Sequence, residues 1–227
     1  PAFARTQADG TFLDVKDVVD LRLNVSTLRA VTTYLRARDA ERFPALIKMT
    51  ESVELFPDIE REIERIINKY GEVKDTASPQ LAEIRRSILS AQSSISKTLN
   101  AILRQAQASG IVDKEAAPTI REGRLVIPVS AMNKRKIQGI IHDESATGKT
   151  AFVEPTAVVE VNNRLRELEN EERREIIRIL VEFTNLVRPY YEAIAQSVYF
   201  LAEIDALRAK SQFSISFLTL ARSNLSI

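Results

Sequence analysis

Apolar residues recur three or four positions apart over most of the chain, the spacing that places them on one face of an α-helix. The first run starts at Leu13 and predicts a helix. Its apolar face consists of Val18, Leu21, Val25, Leu28, Val31 and Leu35. A shorter helix is expected within residues 44–53. A third is expected to open at Pro57 and to end at Gly71, with Tyr70 on its apolar face, so the first third of the chain predicts bundle helices.

Two longer helical runs have matching lengths. The first is expected to have Ser78 as its N-cap and Pro79 as its first residue, because a serine side chain accepts a backbone hydrogen bond and proline has no N–H to leave unpaired. It extends to Gly110, and its apolar seam is Leu81, Ile84, Ile88, Ala91, Ile95, Leu99 and Ile102. The second run extends from Pro155 to Pro189. Rods of about 45 Å on either side of a compact insert predict an antiparallel helix pair that carries the insert at its far end.

The insert, residues 117–154, alternates with the period of β-strands. Three short runs, "RLVIPVS", "IQGIIHDES" and "TAFVEP", are separated by turn residues and predict a small antiparallel sheet. Pro128 favours an edge position in the first run. After Pro189 a helix is expected to return to the bundle. The predicted fold class is therefore mainly α: a helical bundle with a long antiparallel helix pair carrying a small β-sheet insert, divided into residues 1–112, 113–154 and 155–227.

Composition limits the class of protein. The 227 residues are 44% apolar and 28% charged, with six glycines and no tryptophan, which favours long helices around an adequate core. The absence of cysteine excludes disulfides and cysteine-based metal sites and fits a reducing cytosol. No apolar run reaches the ~18 residues of a membrane span. We expect a cytoplasmic protein with no membrane partner, and a piece of a longer one, because it begins at Pro1.

Gly148-Lys149-Thr150 matches the end of a nucleotide-binding P-loop, but its surroundings do not. A P-loop needs a glycine five residues before Gly148, where this chain has Asp143, and a helix directly behind the lysine. A carboxylate would repel phosphate, and "AFVEP" reads as a strand. The motif therefore predicts a tight turn between two strands with Lys149 at its tip.

His142, the only histidine, raises the question of catalysis or metal binding. Asp143 follows it directly, and neighbouring side chains on a strand point to opposite faces, so a triad with Asp143 and Ser145 is disfavoured. His142 and Glu144 would share a face, but two ligands make a poor metal site. We expect a histidine that donates to a backbone carbonyl, with no catalytic residue and no metal ligand in this chain.

Positive charge is concentrated in the insert, although the net charge of the whole chain is only +1. Residues 119–150 hold six cations and three acidic residues. Cations in loops reach phosphate oxygens without reading bases, and no aromatic platform or recognition helix accompanies them. The predicted nucleic-acid contacts are Lys134, Arg135, Lys136, Lys149, Arg121 and Arg124. The alternative is a solvated basic loop on a module whose heptad seams serve coiled-coil oligomerisation or protein interaction.

Four stretches carry a family resemblance: "DTASPQLAEIRRSI", "REGRLVIPVS", "GIIHDESATGKTAFVEP" and "VVEVNNRLRELENEERREIIRIL". In this order they resemble the type-two branch of the bacterial MutS family, and "GTFLDVKDVVDLRLNVSTLRAVTTYL" is similar to the lever region of that branch. The resemblance spans nearly the whole chain, and the block from His142 to Pro155 is its most specific part.

The resemblance implies a function that the spacing of residues does not show. In that family a helical core and lever hold a clamp on nucleic-acid backbone, and an ATPase domain using ATP and Mg²⁺ forms a homodimer that moves the levers. A C-terminal Smr domain can act as a nuclease. The branch is linked to suppression of homologous recombination and to rescue of collided ribosomes, which implies DNA, including branched DNA, or ribosomal RNA as partner. This chain shows neither the Walker loop nor the Smr region, so we expect a non-enzymatic lever and clamp without cofactors of its own.

Overall fold

The computed structural model describes residues 11–224, with side chains through residue 216. The first ten residues of the predicted 1–112 segment therefore lie outside the described part. The helices are α1 (Val15–Arg36), α2 (Pro44–Glu51), α3 (Pro57–Ile66), α4 (Pro79–Ala108), α5 (Thr156–Val187) and α6 (Tyr191–Asn224). The strands are β1 (Thr119–Arg121), β2 (Arg124–Ser130), β3 (Gly139–Glu144) and β4 (Thr150–Pro155). The fold is mainly α with a small antiparallel sheet between two long helices, which confirms the predicted class.

The described chain forms two compact units. One contains residues 11–74 and 178–224, and the other contains residues 75–177. The expected division at residues 112 and 154 stays a prediction. None of the helices in residues 11–224 combines the length and apolarity that crossing a membrane requires.

In the first unit, α1 begins with a reciprocal cap between Asp14 and Asp17. The Asp17 N–H donates to Asp14 Oδ1 at 2.8 Å, and the Asp14 N–H donates to Asp17 Oδ2 at 3.3 Å. Such a cap satisfies backbone donors that have no partner within the helix. Next to it Leu13 is fully buried, and its N–H donates to Thr184 Oγ1 at 2.9 Å. The start of α1 is thus anchored to the end of α5.

Helix α3 ends at Ile66, so the sequence-based prediction of a helix reaching Gly71 is wrong. The Asn68 side chain accepts hydrogen bonds from the backbone N–H groups of Tyr70, at 2.8 Å, and Glu72, at 3.0 Å. These bonds fold the chain into a turn, because asparagine competes for backbone donors that a helix would use. Gly71 has φ +82° within that turn, and Tyr70 is 76% exposed rather than on the apolar face.

In the second unit, α4 and α5 run antiparallel. Ser78 caps α4 by accepting the Leu81 N–H at 2.9 Å, as predicted, and its hydroxyl also donates to the buried Glu175 of α5, at 2.6 Å. At the C-terminus of α4, Gly110 takes φ +67°, and the Ile111 N–H reaches back to the Ala106 carbonyl at 2.9 Å. This is a Schellman ending, which needs a residue that tolerates positive φ. Local sequence therefore sets both ends of α4.

The sheet has the strand order β1-β2-β4-β3, with all pairs antiparallel. Strand β2 is therefore an inner strand, but β1 pairs only with Arg124–Val126, and Pro128 lies beyond that pairing. The expected edge position is therefore wrong for strand β2 as a whole, but Pro128 itself has no β1 neighbour. One face of the sheet packs on the helix pair through a single apolar cluster. Its members include Ile88, Ile95, Leu99, Leu103, Ile127, Val129, Ile137, Val153, Val158 and Leu165.

Gly139 opens β3 at a place where only glycine fits. It pairs with Pro155, and a Cβ added to Gly139 would overlap the Glu154 carbonyl oxygen. The backbones of β3 and β4 approach each other closely because Gly139 has no side chain.

Candidate nucleic-acid interface

The basic loop that follows β2 is anchored by a side-chain hydrogen bond before it and by a buried residue after it. A short 3₁₀ turn, Ala131–Asn133, leads into Lys134, Arg135 and Lys136. The Asn133 side chain donates to the Ile111 carbonyl at 3.0 Å, and the Lys136 N–H donates to the Asn133 carbonyl at 2.8 Å. Ile137 is buried directly after the loop. The loop is therefore tied at both ends, and Arg135 and Lys136 are exposed between them.

Lys149 lies in the turn between β3 and β4, beside the basic loop. The Gly148 N–H donates to the Ser145 carbonyl at 2.7 Å, and Gly148 has φ +65°. This is the predicted strand-to-strand turn, and a strand rather than a P-loop helix follows it. The Lys149 carbonyl accepts the Ala131 N–H at 2.9 Å. The fold thus brings two basic segments, separated by a whole strand in sequence, to one end of the sheet.

The acidic residues of the insert neutralise some of these cations and leave others unpaired. Lys134 Nζ lies 2.8 Å from Glu144 Oε1, and Arg121 Nε lies 3.4 Å from Asp143 Oδ2. Arg135, Lys136 and Lys149 form no ion pair with any residue in the described part of the chain. Uncompensated positive charge therefore lies at the end of the sheet where the two basic segments meet.

Arg124 lies elsewhere, at the other end of β2, and binds a buried carboxylate. Its Nη1 lies 2.8 Å and 3.0 Å from the two oxygens of Glu154, and its Nη2 donates to Asn163 Oδ1 at 2.6 Å. The Arg124 side chain is only 15% exposed. With these partners Arg124 links β2 to β4 and α5.

Glu154 is the centre of a polar cluster formed by Arg124, His142, Glu154 and Asn162. It is fully buried in β4 and accepts hydrogen bonds from Arg124, from Asn162 Nδ2 at 2.7 Å and from His142 Nε2 at 2.6 Å. Burial alone raises the pKa of Glu154, but the hydrogen bonds from His142, Asn162 and Arg124, together with the Arg124 charge, outweigh burial and lower it. Glu154 is therefore ionised and joins β2, β3, β4 and α5.

The expectation that His142 binds a backbone carbonyl is wrong, because its partner is this carboxylate. A register shift between Ile141 and Asp143 marks a β-bulge at His142, which breaks the strict alternation on which the expectation relied. Sequence reasoning missed Glu154 and Asn162. The available signal was an acidic residue in "TAFVEP", a strand that is otherwise almost entirely apolar.

Arg121 lies across the sheet rather than with the loop cations. Its guanidinium carbon is 4.1 Å from the centroid of the Phe152 ring, and Phe152 is 8% exposed. Asp143 flanks it as described above, and Arg121 Nη1 donates to the Ile120 carbonyl at 3.3 Å. These contacts hold the guanidinium over the ring. Sequence reasoning selected Arg121 for its charge and missed its aromatic partner.

The side chains described here do not form a metal centre. In residues 11–216, no group of three or more histidine and acidic residues is placed to hold a metal ion. Both carboxylate oxygens of Glu154 accept hydrogen bonds from protein side chains.

Sequence comparison with known proteins identifies the family of the chain. No protein-family model matches the chain. It is 37% identical over 210 residues to a protein named Endonuclease MutS2 from Pelotomaculum thermopropionicum, covering 92% of this chain and 26% of that protein. Proteins of the same name from Symbiobacterium thermophilum, 37% identical over 206 residues, and from Geobacillus sp., 36% identical over 212 residues, match similarly.

The Symbiobacterium match covers 91% of this chain and 26% of that relative, and the Geobacillus match covers 92% of this chain and 27% of that relative. The chain thus spans about a quarter of the length of the curated relatives it matches. A match at this identity along nine-tenths of the chain includes all four stretches that carry the family resemblance. The chain belongs to the MutS2 branch of the MutS family.

Proposed function

We propose that the β insert binds nucleic-acid backbone without sequence specificity, through phosphate contacts from Lys134, Arg135, Lys136 and Lys149. The observation that carries the proposal is the hydrogen bond between Ala131 and Lys149, which joins the two basic segments at one end of the sheet. Three of the four cations there have no ion-pair partner among the described residues. Unpaired cations on anchored loops suit phosphate oxygens, which carry affinity but no sequence information.

The three predicted contacts that have an acidic partner have different places in this proposal. Lys134 can exchange Glu144 for a phosphate, because an exposed ion pair contributes only ~0–1 kcal/mol. Arg124 would have to abandon a buried carboxylate, which costs about 3–5 kcal/mol, so we leave it out of the proposed surface. Arg121 is balanced by Asp143 and adds little net charge.

For the longer protein, we propose that the α4–α5 pair and the β insert are the lever and clamp of an ATP-driven homodimer. The family resemblance supports this role, with ATPase and Smr nuclease activities belonging to other parts of that protein and none to residues 11–216. The natural ligand would be DNA, including branched DNA in the suppression of recombination, or ribosomal RNA in ribosome rescue. Both ligands offer the same phosphodiester backbone.

The test is a salt-dependent titration of the 227-residue chain with branched DNA, linear duplex DNA and a ribosomal RNA hairpin. Three to four neutralised phosphates predict a slope of log affinity against log salt of about −2.7 to −3.6 for duplex DNA. Substituting Arg135, Lys136 and Lys149 with glutamate should abolish binding at low salt. No binding by the unsubstituted chain, or binding indifferent to salt, would contradict the proposal.

A matched control reverses three exposed cations on the helix pair that form no ion pair with any described residue: Arg86, Lys97 and Arg166. This variant changes the net charge by the same amount and should keep most of the affinity. Sedimentation of all three proteins separates the oligomerisation alternative. If charge reversal in the loop dissociates oligomers, the heptad seams and the loop serve protein association instead.

A further inference from the structure

Arg121 presents a flat surface that its charge does not explain. Phe152 covers one face of the guanidinium at 4.1 Å, and Nε is buried beside Asp143. The side chain is nevertheless 42% exposed. The ring covers one face of the guanidinium, so the opposite face is the one that a ligand could contact. Arg121 therefore offers a planar group that is supported by an aromatic ring and belongs to a partly exposed side chain.

Planar groups of this kind are the partners that unpaired nucleobases use. Bases splayed out of a helix stack on aromatic rings or on arginine guanidinium planes, and the interaction tolerates any base because every base has a π-face. Asp143 already balances the charge of Arg121, so the exposed plane, rather than the charge, is what Arg121 offers to a ligand.

The stacked guanidinium lies on the same β insert as the proposed phosphate surface. Arg121 pairs with Asp143 and Lys134 pairs with Glu144, and these two acidic residues are consecutive in β3. A base of the bound strand would have to extend from the loop cations at one end of the sheet to the plane over Phe152. In a fully paired duplex the base faces are covered by their neighbours, and exposing one costs a few kcal/mol.

We infer that Arg121, supported by Phe152, is a stacking platform for an unpaired base of a bound strand. The inference rests on the proposed phosphate-binding function and deepens it, since it names nucleic acid with an unpaired or distorted nucleotide as the preferred ligand. Phosphate contacts hold the strand, and the platform distinguishes interrupted duplexes from continuous ones.

The experiment compares two probes, a fully paired duplex and the same duplex with one additional, bulged 2-aminopurine nucleotide, each prepared in DNA and in RNA. The complete 227-residue chain should bind the bulged probe roughly tenfold more tightly, the order expected from one base stacked on a side chain. The DNA and RNA arms identify which strand the platform prefers. The fluorescence of 2-aminopurine should change on binding, which reports stacking directly.

Arg121→Lys keeps the charge and removes the plane, so it should abolish both the preference and the fluorescence change while leaving paired-duplex affinity within about twofold. Arg86→Lys is the matched control, because Arg86 is exposed on α4, outside the proposed surface, and stacks on no aromatic ring in the described part of the chain. It should leave the preference unchanged. Phe152→Leu, which removes the support and keeps Arg121, should also lose the preference, with a thermal melt to establish that it is folded.

The outcomes separate the two proposals. If the unsubstituted chain binds both probes equally and with a steep salt dependence, phosphate binding stands and the platform is refuted. Retention of the preference by Arg121→Lys refutes the platform as well. If neither probe binds at low salt, the proposed function fails and the platform fails with it.

Discussion

Replacing Glu154 with glutamine tests whether the polar cluster holds the β insert to the helix pair. Glu154 is fully buried, and both of its oxygens accept hydrogen bonds, two from Arg124 and one each from Asn162 and His142. Glutamine has nearly the same shape. It removes the negative charge and replaces one acceptor oxygen with an NH₂ group that faces donors.

The magnitude follows from what the substitution leaves behind. Arg124, 15% exposed, would lose its charged partner. Removing one partner of a buried ion pair destabilises by about 3–5 kcal/mol, mostly through the unpaired charge that remains. For a chain of this length, ~3–5 kcal/mol corresponds to a decrease in melting temperature of about 6–20 °C.

Thermal and urea unfolding would measure the loss, and amide hydrogen exchange would locate it in β3, β4 and the start of α5. The matched control is Glu160→Gln, the same change at an exposed position of α5, expected to cost less than about 0.5 kcal/mol. If the two variants lose equal stability, the buried cluster does not hold the insert, and the reasoning is refuted.

The dependence on pH gives a second, independent readout. The pKa of Glu154 is lowered in the folded chain, since its hydrogen bonds and the Arg124 charge outweigh the effect of burial. Its contribution to stability is therefore complete above the unfolded-state pKa and is lost as the pH falls through the lower folded-state pKa. The stability difference between the unsubstituted chain and Glu154→Gln should narrow at acid pH, and a difference constant across that range would contradict the assignment.

Two further substitutions test single contacts. Gly139→Ala should destabilise by about 3 kcal/mol or more in urea unfolding, because its Cβ overlaps the Glu154 carbonyl oxygen, whereas Gly110→Ala, in open space, should cost only the ~1–2 kcal/mol of a positive φ. A smaller loss at Gly139 than at Gly110 would show that the strands separate easily. Ser78→Ala should lower the free energy of unfolding by about 2–3 kcal/mol, because it removes both the cap of α4 and the hydroxyl that donates to buried Glu175. The control is Ser93→Ala at an exposed position, which should change stability by less than ~0.5 kcal/mol. Equal effects of the two substitutions would count against the capping role.

The helix boundaries show how far local signals reach. Ser78, Pro79 and Gly110 predict both ends of α4 because caps and Schellman endings are made within a few residues of sequence. The same reasoning misplaces the end of α3. There a turn centred on Asn68 competes with the helix, and the apolar spacing that continues to Tyr70 hides it.

The candidate site was predictable in its charge and not in its pairing. The sequence indicates a basic segment around residues 121–149. Because its six cations are close in sequence, the sequence does not show which of them have an acidic partner. In the structure Arg124 binds Glu154 and Arg121 lies on Phe152. Arg135, Lys136 and Lys149 form no ion pair within the part of the chain that the structure describes. These partners depend on strand order and on a β-bulge, which single-sequence periodicity does not contain.

The sequence by itself determined the helical periodicity, the caps, the alternating insert and the family, because each is written in neighbouring residues or in a continuous match. Only the tertiary structure decided which cations form ion pairs with acidic side chains. Partners such as Arg124 and Glu154 lie thirty positions apart, and Leu13 and Thr184 lie much further apart, so their contacts exist only once the strands and helices have packed. Burial then sets the free-energy cost of separating each cation from its acidic partner. That cost distinguishes structural cations from those that we propose bind a ligand.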